Sequence, residues 1–262
     1  MYETLEVDLQ GSIGTLWLNR PEKLNALSRV TLRELAEAAR WFDEQPGVRV
    51  VVVGGRGKAF SAGADVSTFP ATGQPGARAA ADAGRVMAEA IEGMRSLTIV
   101  GIHGWCVGGA LVLAAACDLR VAADSARFSI PEVDLGIPLA WGGIPRLVRE
   151  IGPALTKELV TTCRPFDAQE ALAAGFLNRV VAANDLDDTV QQLAKLVAEK
   201  PAGPVSATKR HVNAVTSQMV GTMRGWSDAD SLLAAMSDPE CIESREAYMQ
   251  ARGLAKQRTD DT

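Results

Sequence analysis

GWCVGGALVLAAACDLRVAADSARFSIPEVDLG, residues 104–136, decides the fold. Ahead of it lies Thr98–Ile102, a short apolar run that reads as a strand, and the stretch itself opens on a glycine-rich turn. From about Gly108 to Ala116 every residue is small or apolar, the pattern of a buried helix. One strand is expected near Leu119–Ala122 and another near Arg127–Ile130. Strands that return at regular intervals with helical crossovers argue for an α/β fold of repeated ββα turns.

Moving outward, the same cycle precedes this stretch. Residues 1–20 alternate apolar and polar about Gln10-Gly11-Ser12, which predicts a β-hairpin. Val30, Leu32, Leu35, Ala38, Ala39 and Phe42 fall at helical spacing over Ser28–Phe42, with Ser28 placed to cap the N-terminus and Pro46-Gly47 to end the element. Val48–Val53 is a β-branched run suited to a buried strand. A glycine-rich loop (Gly54–Gly63) and an alanine-rich helix ending near Leu97 complete the unit. Downstream, Val180-Val181 reads as a short strand between helices. Strand signals stop at about Pro201, and His211–Arg252 reads as two or three helices. The expected organisation is a core over 1–200 and a helical appendage over 201–262 that packs on the core or on a neighbour.

Composition narrows the classes. The chain has 262 residues, 47% hydrophobic and 23% charged, which fits a folded globular protein. No apolar stretch approaches the roughly 20 residues of a membrane span, so no membrane partner is expected. MYETLEVDLQ carries acids where a secretion signal needs bases, and a cytosolic location is expected. Net charge is −5, without the basic stripe of a nucleic-acid binder. Cys106, Cys117, Cys163 and Cys241 form no CxxC pair, and the two histidines have no metal-ligand spacing; the thiols read as buried and reduced, and no metal is expected.

Four local patterns carry chemistry. Lys58-Ala59-Phe60-Ser61-Ala62-Gly63-Ala64-Asp65 follows a predicted buried strand, where small residues let backbone N–H groups face a crevice. Asp65 could cap a following helix. It is no phosphate-binding P-loop, since the spacing before Gly57-Lys58 is wrong and Ala59 stands where Ser or Thr is needed. Gly104–Ala110 places paired glycines at a helix N-terminus, where the helix dipole favours negative charge. In Ser129-Ile130-Pro131-Glu132-Val133 a carboxylate in apolar company just beyond a strand is a candidate general base, or else a solvated loop glutamate. In Leu18–Ser28, Arg20 and Lys23 could meet phosphates or simply solvate the surface. Taken singly, each pattern has an ordinary structural explanation.

Together and in this order, LNRPEKLNALS, GRGKAFSAGAD, residues 104–136 and GGIPRLVREIG resemble the crotonase family (enoyl-CoA hydratases and isomerases) over essentially the whole chain. The resemblance implies a spiral of ββα units with a helical C-terminal trimerisation region, assembled as a homo-trimer or hexamer. It implies an acyl-CoA substrate whose thioester carbonyl sits between the backbone N–H groups of Ala64 and Gly109. It also places Lys23, Leu24, Ala26, Ala62 and Asp65 in the stretches that contact the CoA moiety. Coenzyme A enters as part of the substrate, and no separate cofactor is implied.

One departure bears on mechanism. Family hydratases carry two glutamates. Glu132 matches the later one, but Val112 stands at the earlier, three residues after the oxyanion glycine. Valine cannot orient water or supply a proton, whereas related isomerases work with a single carboxylate at the later position. The expected activity is therefore enoyl-CoA double-bond isomerisation by Glu132. Hydration or dehydration is the alternative, and a non-catalytic acyl-CoA-binding relative is a third. Trp141 is read as a wall of the acyl pocket, further wall residues are expected from 66–97, and His103 is read as structural.

Overall fold

The structure, a computed structural model, describes residues 2–68, 75–225 and 227–253. The N-terminal alternation becomes the hairpin β1 (Leu5–Gln10) and β2 (Ile13–Leu18), turned by Gly11 at φ +62°. Four further strands join it in parallel: β3 (Val50–Gly55), β4 (Leu97–Ile102), β6 (Leu119–Ala123) and β9 (Arg179–Val181). The order across this sheet is β1-β2-β3-β4-β6-β9. A second sheet of three short strands, β5 (Trp105–Val107), β7 (Arg127–Ser129) and β8 (Phe166–Asp167), runs in the order β5-β7-β8. From β4 to β7 successive strands alternate between the large sheet and the small one. Adjacent steps pair in both sheets, β4 with β6 and β5 with β7, so the chain winds as a spiral.

Burial explains the strand sequences. The four valines of β3 are all buried, because that strand is covered on both faces. Val50 and Val52 meet helix α6 (Leu186–Ala198), while Val51 and Val53 face the main core beneath α1 (Arg29–Glu44), α2 (Ala77–Glu92) and α3 (Gly109–Ala116). Each buried valine contributes about 1.5–3 kcal/mol. Helix α1 begins as its sequence predicts, with the Ser28 Oγ accepting from the Thr31 N–H at 3.2 Å. All eight residues of α3 are buried, which only a helix of small and aliphatic side chains tolerates.

Beyond α4 (Gly143–Thr162), which breaks at Gly152-Pro153, and α5 (Ala168–Ala173), the chain ends in α7 (Ala202–Met219), α8 (Asp228–Ser237) and α9 (Pro239–Ala251). Helix therefore resumes at Ala202, earlier than the expected His211. The glycine turn after β4 holds one strand that the sequence reading missed: β5 is too short for alternation to show. The four cysteines are free, but Cys241 is only half-buried. Among the described residues no helix is long and apolar enough to cross a membrane.

Candidate active site

The site forms where two glycine-bearing loops meet. Residues 61–65 run beside residues 24–27, with the Ala62 N–H donating to the Leu24 carbonyl (2.8 Å), the Leu27 N–H to Gly63 (2.7 Å) and the Asp65 N–H to Leu27 (3.1 Å). In such a parallel bridge the residues on either side of Ala64 bond to Leu27, so the Ala64 N–H turns the opposite way. Across from it stands Gly109, the first residue of α3, whose N–H precedes the helix's own bonds. Among the described residues neither N–H has an intramolecular acceptor.

Gly63 makes this approach possible. Its φ is +85°, and a Cβ there would lie 2.4 Å from the Val107 carbonyl oxygen and 3.6 Å from the Gly109 nitrogen. Any side chain would push the loops apart. Gly108, at φ +51°, does the same for the carboxylate, since a Cβ there would fall 2.3 Å from Glu132 Oε1. Glu132 follows β7 and turns inward; the Ile137 N–H donates to its carbonyl at 2.9 Å, which holds the turn.

Ala64, Gly109, Val112, Glu132 and Trp141 line one cavity, together with Leu27 just before α1 and Arg29 and Leu32 from its first turn. Ala80 and Ala81 of α2, the 137–140 loop and Leu232 of α8 complete it. Its surroundings are almost wholly apolar, and that sets the state of Glu132. Burial raises its pKa from an ordinary 4.5 to about 7, only partly offset by a hydrogen bond from its own backbone. Glu132 Oε2 is buried without a hydrogen-bond partner. A carboxyl with a free oxygen and a pKa near neutrality can both accept and return a proton. Ala64 and Gly109 line the same cavity, and N–H donors left without acceptors are the groups that can stabilise an enolate oxygen.

The expected site residues divide. Ala64, Asp65, Gly109, Glu132 and Trp141 meet in the cavity; Lys23, Leu24, Ala26 and Ala62 lie on the adjoining loop pair, outside its lining. Among the described residues Asp65 precedes only a short 3₁₀ turn, Val66–Thr68, rather than the expected helix. Its carboxylate instead accepts from Ser67 Oγ at 2.6 Å and pairs with Arg20 at 3.2 Å. Burial works against ionisation there, but the Ser67 hydroxyl and the Arg20 guanidinium outweigh it and lower the pKa. Arg20, also bonded to the Ala26 carbonyl, is thus a tie between loops, whereas Lys23 is exposed. His103 lies outside the cavity and contacts the Gly57 carbonyl at 3.0 Å through Nε2, as a structural residue would.

Two features escaped the sequence. Asn25, buried at φ +54°, spans the loops: its amide donates to the Arg56 and Ala59 carbonyls (2.8 and 2.9 Å) and accepts from the Arg20 N–H (2.9 Å). Asparagine's tolerance of left-handed backbone was the available signal. The C-terminal helices, expected to pack on the core or a neighbour, also reach the site. Leu232 lines the cavity and Asp228 Oδ2 accepts from the Gly142 N–H at 2.8 Å.

The spiral of ββα units thus brings a buried carboxyl and two N–H groups without intramolecular acceptors to one cavity. Comparison with known proteins gives the family. The chain matches the family described as enoyl-CoA hydratase/isomerase over residues 8–254. It is 32% identical over 253 residues to the crotonyl-CoA hydratase of Syntrophomonas wolfei, covering 96% of both chains. A probable enoyl-CoA hydratase of Mycobacterium tuberculosis is 36% identical over 215 residues, covering 81% of this chain and 82% of the relative. The crystal structure of an enoyl-CoA hydratase/isomerase from Xanthobacter autotrophicus Py2 superposes with a TM-score of 0.86 at 27% identity, over 97% of this chain and 95% of that one. This chain belongs to the enoyl-CoA hydratase/isomerase family and is a crotonase-type acyl-CoA enzyme.

Proposed function

We propose that the chain isomerises the double bond of an enoyl-CoA, with Glu132 as the single acid/base. The observation that carries this reading is the buried Glu132 carboxyl, which lines the cavity with one oxygen unpartnered and its pKa raised to about 7. Glu132 as carboxylate takes a proton from C2 of a 3-enoyl thioester. The C–H electrons form the C1–C2 double bond of an enolate, whose oxygen rests between the Ala64 and Gly109 N–H groups. Glu132, now protonated, delivers the proton to C4 as the double bond moves to C2–C3. Val112, buried and apolar, leaves no second carboxylate at the family position to activate water. The CoA portion lies along Lys23, Leu24, Ala26, Ala62 and Asp65, and no cofactor beyond it takes part.

The hydratase names of the relatives favour a second reading, hydration with water held by groups other than a second carboxylate. The discriminating experiment is a panel of 2-enoyl- and 3-enoyl-CoA thioesters, scored separately for hydration and isomerisation. Faster isomerisation is expected. Robust hydration that survives Glu132→Gln would refute both the reaction and the base.

The proposal extends to assembly and place: a cytosolic homo-trimer or hexamer, with 201–262 as the oligomerising region. Val212, Val215 and Met219, on one side of α7, are 53%, 47% and 74% exposed, which supports a covered face. Sedimentation at micromolar concentration should give three or six subunits; a clean monomer would refute it.

A further inference from the structure

Trp141 is wedged between two glycines. A Cβ on Gly109 would lie 2.2 Å from Trp141 Cζ3, and one on Gly84 would lie 1.9 Å from Cδ2. The indole therefore spans the gap from the N-terminus of α3 to the middle of α2, in van der Waals contact with bare backbone at both ends. Gly84 is the only glycine in α2, whose sequence ARAAADAGRVMAEAIE is otherwise alanine-rich. Glycine inside a helix is destabilising relative to alanine, so its presence there has a packing reason. That reason is the ring.

The backbone of Trp141 is held as firmly as its side chain. It sits at φ +64°, a left-handed conformation that a bulky residue adopts only when the surroundings enforce it. Arg146, fully buried, donates to the Trp141 carbonyl at 3.3 Å and the Gly142 carbonyl at 3.2 Å, and is anchored in turn to Glu92 at 2.5 Å. Asp228 takes the Gly142 N–H from the other side. Trp141 as a whole is 9% exposed.

Resting on the reading that this cavity receives an acyl thioester, we infer that Trp141, seated on Gly84, is a stop that limits the acyl group to short chains. With the thioester oxygen between Ala64 and Gly109 and C2 beside Glu132, carbons further along the chain run into the indole packed on Gly109. A longer chain requires the ring to leave both glycines and the loop to leave the Arg146 and Asp228 contacts.

The test is calorimetric binding of saturated acyl-CoA thioesters of two, four, eight and twelve carbons. Wild type should bind the four-carbon thioester best and the eight- and twelve-carbon ones at least about tenfold more weakly, a discrimination that steric misfit in an apolar pocket readily reaches. Trp141→Ala should improve binding of the longer pair by at least about tenfold relative to wild type. Trp141→Phe, which keeps an aromatic core, should shift the profile part of the way. Gly84→Ala should lower stability in wild type but not on the Trp141→Ala background, because the clash is with the ring. Equal wild-type affinity for four and twelve carbons, or a profile unmoved by both Trp141 variants, overturns the stop while leaving acyl-CoA binding intact. Absence of binding at every length overturns the acyl-CoA reading and the stop together.

Discussion

Glu132→Gln should make the protein more stable at neutral and alkaline pH while making it a worse catalyst. The wild-type carboxyl has its pKa raised from an ordinary 4.5 to about 7 by burial. A raised acid holds its proton more tightly folded than unfolded. Its contribution is therefore intact below 4.5, erodes as pH rises, and has become a full penalty above 7. At about 1.4 kcal/mol per pH unit, that interval corresponds to about 3 kcal/mol. Glutamine never ionises, so it escapes the penalty. Its amide does inherit the unpartnered position of Oε2 and loses about 1–3 kcal/mol there. That loss is independent of pH, which separates it from the titration. Urea denaturation of both proteins at pH 5, 7 and 9 and one fixed protein concentration should show the difference between them moving in favour of the variant by about 2–3 kcal/mol across the series. Parallel stabilities at all three pH values would refute the buried, unpaired carboxyl. The same variant should slow proton exchange at C2 by roughly 10²–10⁴ while acyl-CoA affinity changes little, and the wild-type rate should rise with pH through about 7 as the base deprotonates.

Val112→Glu restores a second carboxylate and should raise hydration of a 2-enoyl-CoA relative to isomerisation, read by product analysis. It should cost stability by several kcal/mol, since residue 112 is 1% exposed in a fully buried helix. Gly63→Ala meets the Val107 carbonyl at 2.4 Å and should displace the Ala64 donor. Turnover should fall roughly 10²–10³, the worth of one oxyanion donor, measured as kcat on a saturating enoyl-CoA. An unchanged kcat would show that Ala64 does not hold the oxygen.

Local chemistry was legible in the chain because its signals are short-range. Alternation about Gln10-Gly11-Ser12 gave away the hairpin, and apolar spacing with Ser28 gave away α1. The small and apolar run after Gly108 gave away the buried helix α3. Ordered motifs then carried the family and, with it, the expectation that Ala64, Gly109 and Glu132 act together. The absence of a carboxylate at Val112 was equally plain from the letters. Tertiary structure decided what depends on contacts between distant segments. Arg20, a plausible phosphate ligand in sequence, is spent on Asp65, 45 residues away. The apolar company of Glu132 in sequence suggested a general base with a raised pKa, but it is the cavity closing around the carboxyl that raises it. Nothing in the alanine-rich sequence around Gly84 marks it out; the fold brings Trp141, from a loop far along the chain, against it. Backbone preferences and hydrophobic periodicity act within a few residues, so sequence records them directly. Desolvation, close approach and the depth of a pocket arise only when the chain has brought remote surfaces within contact distance.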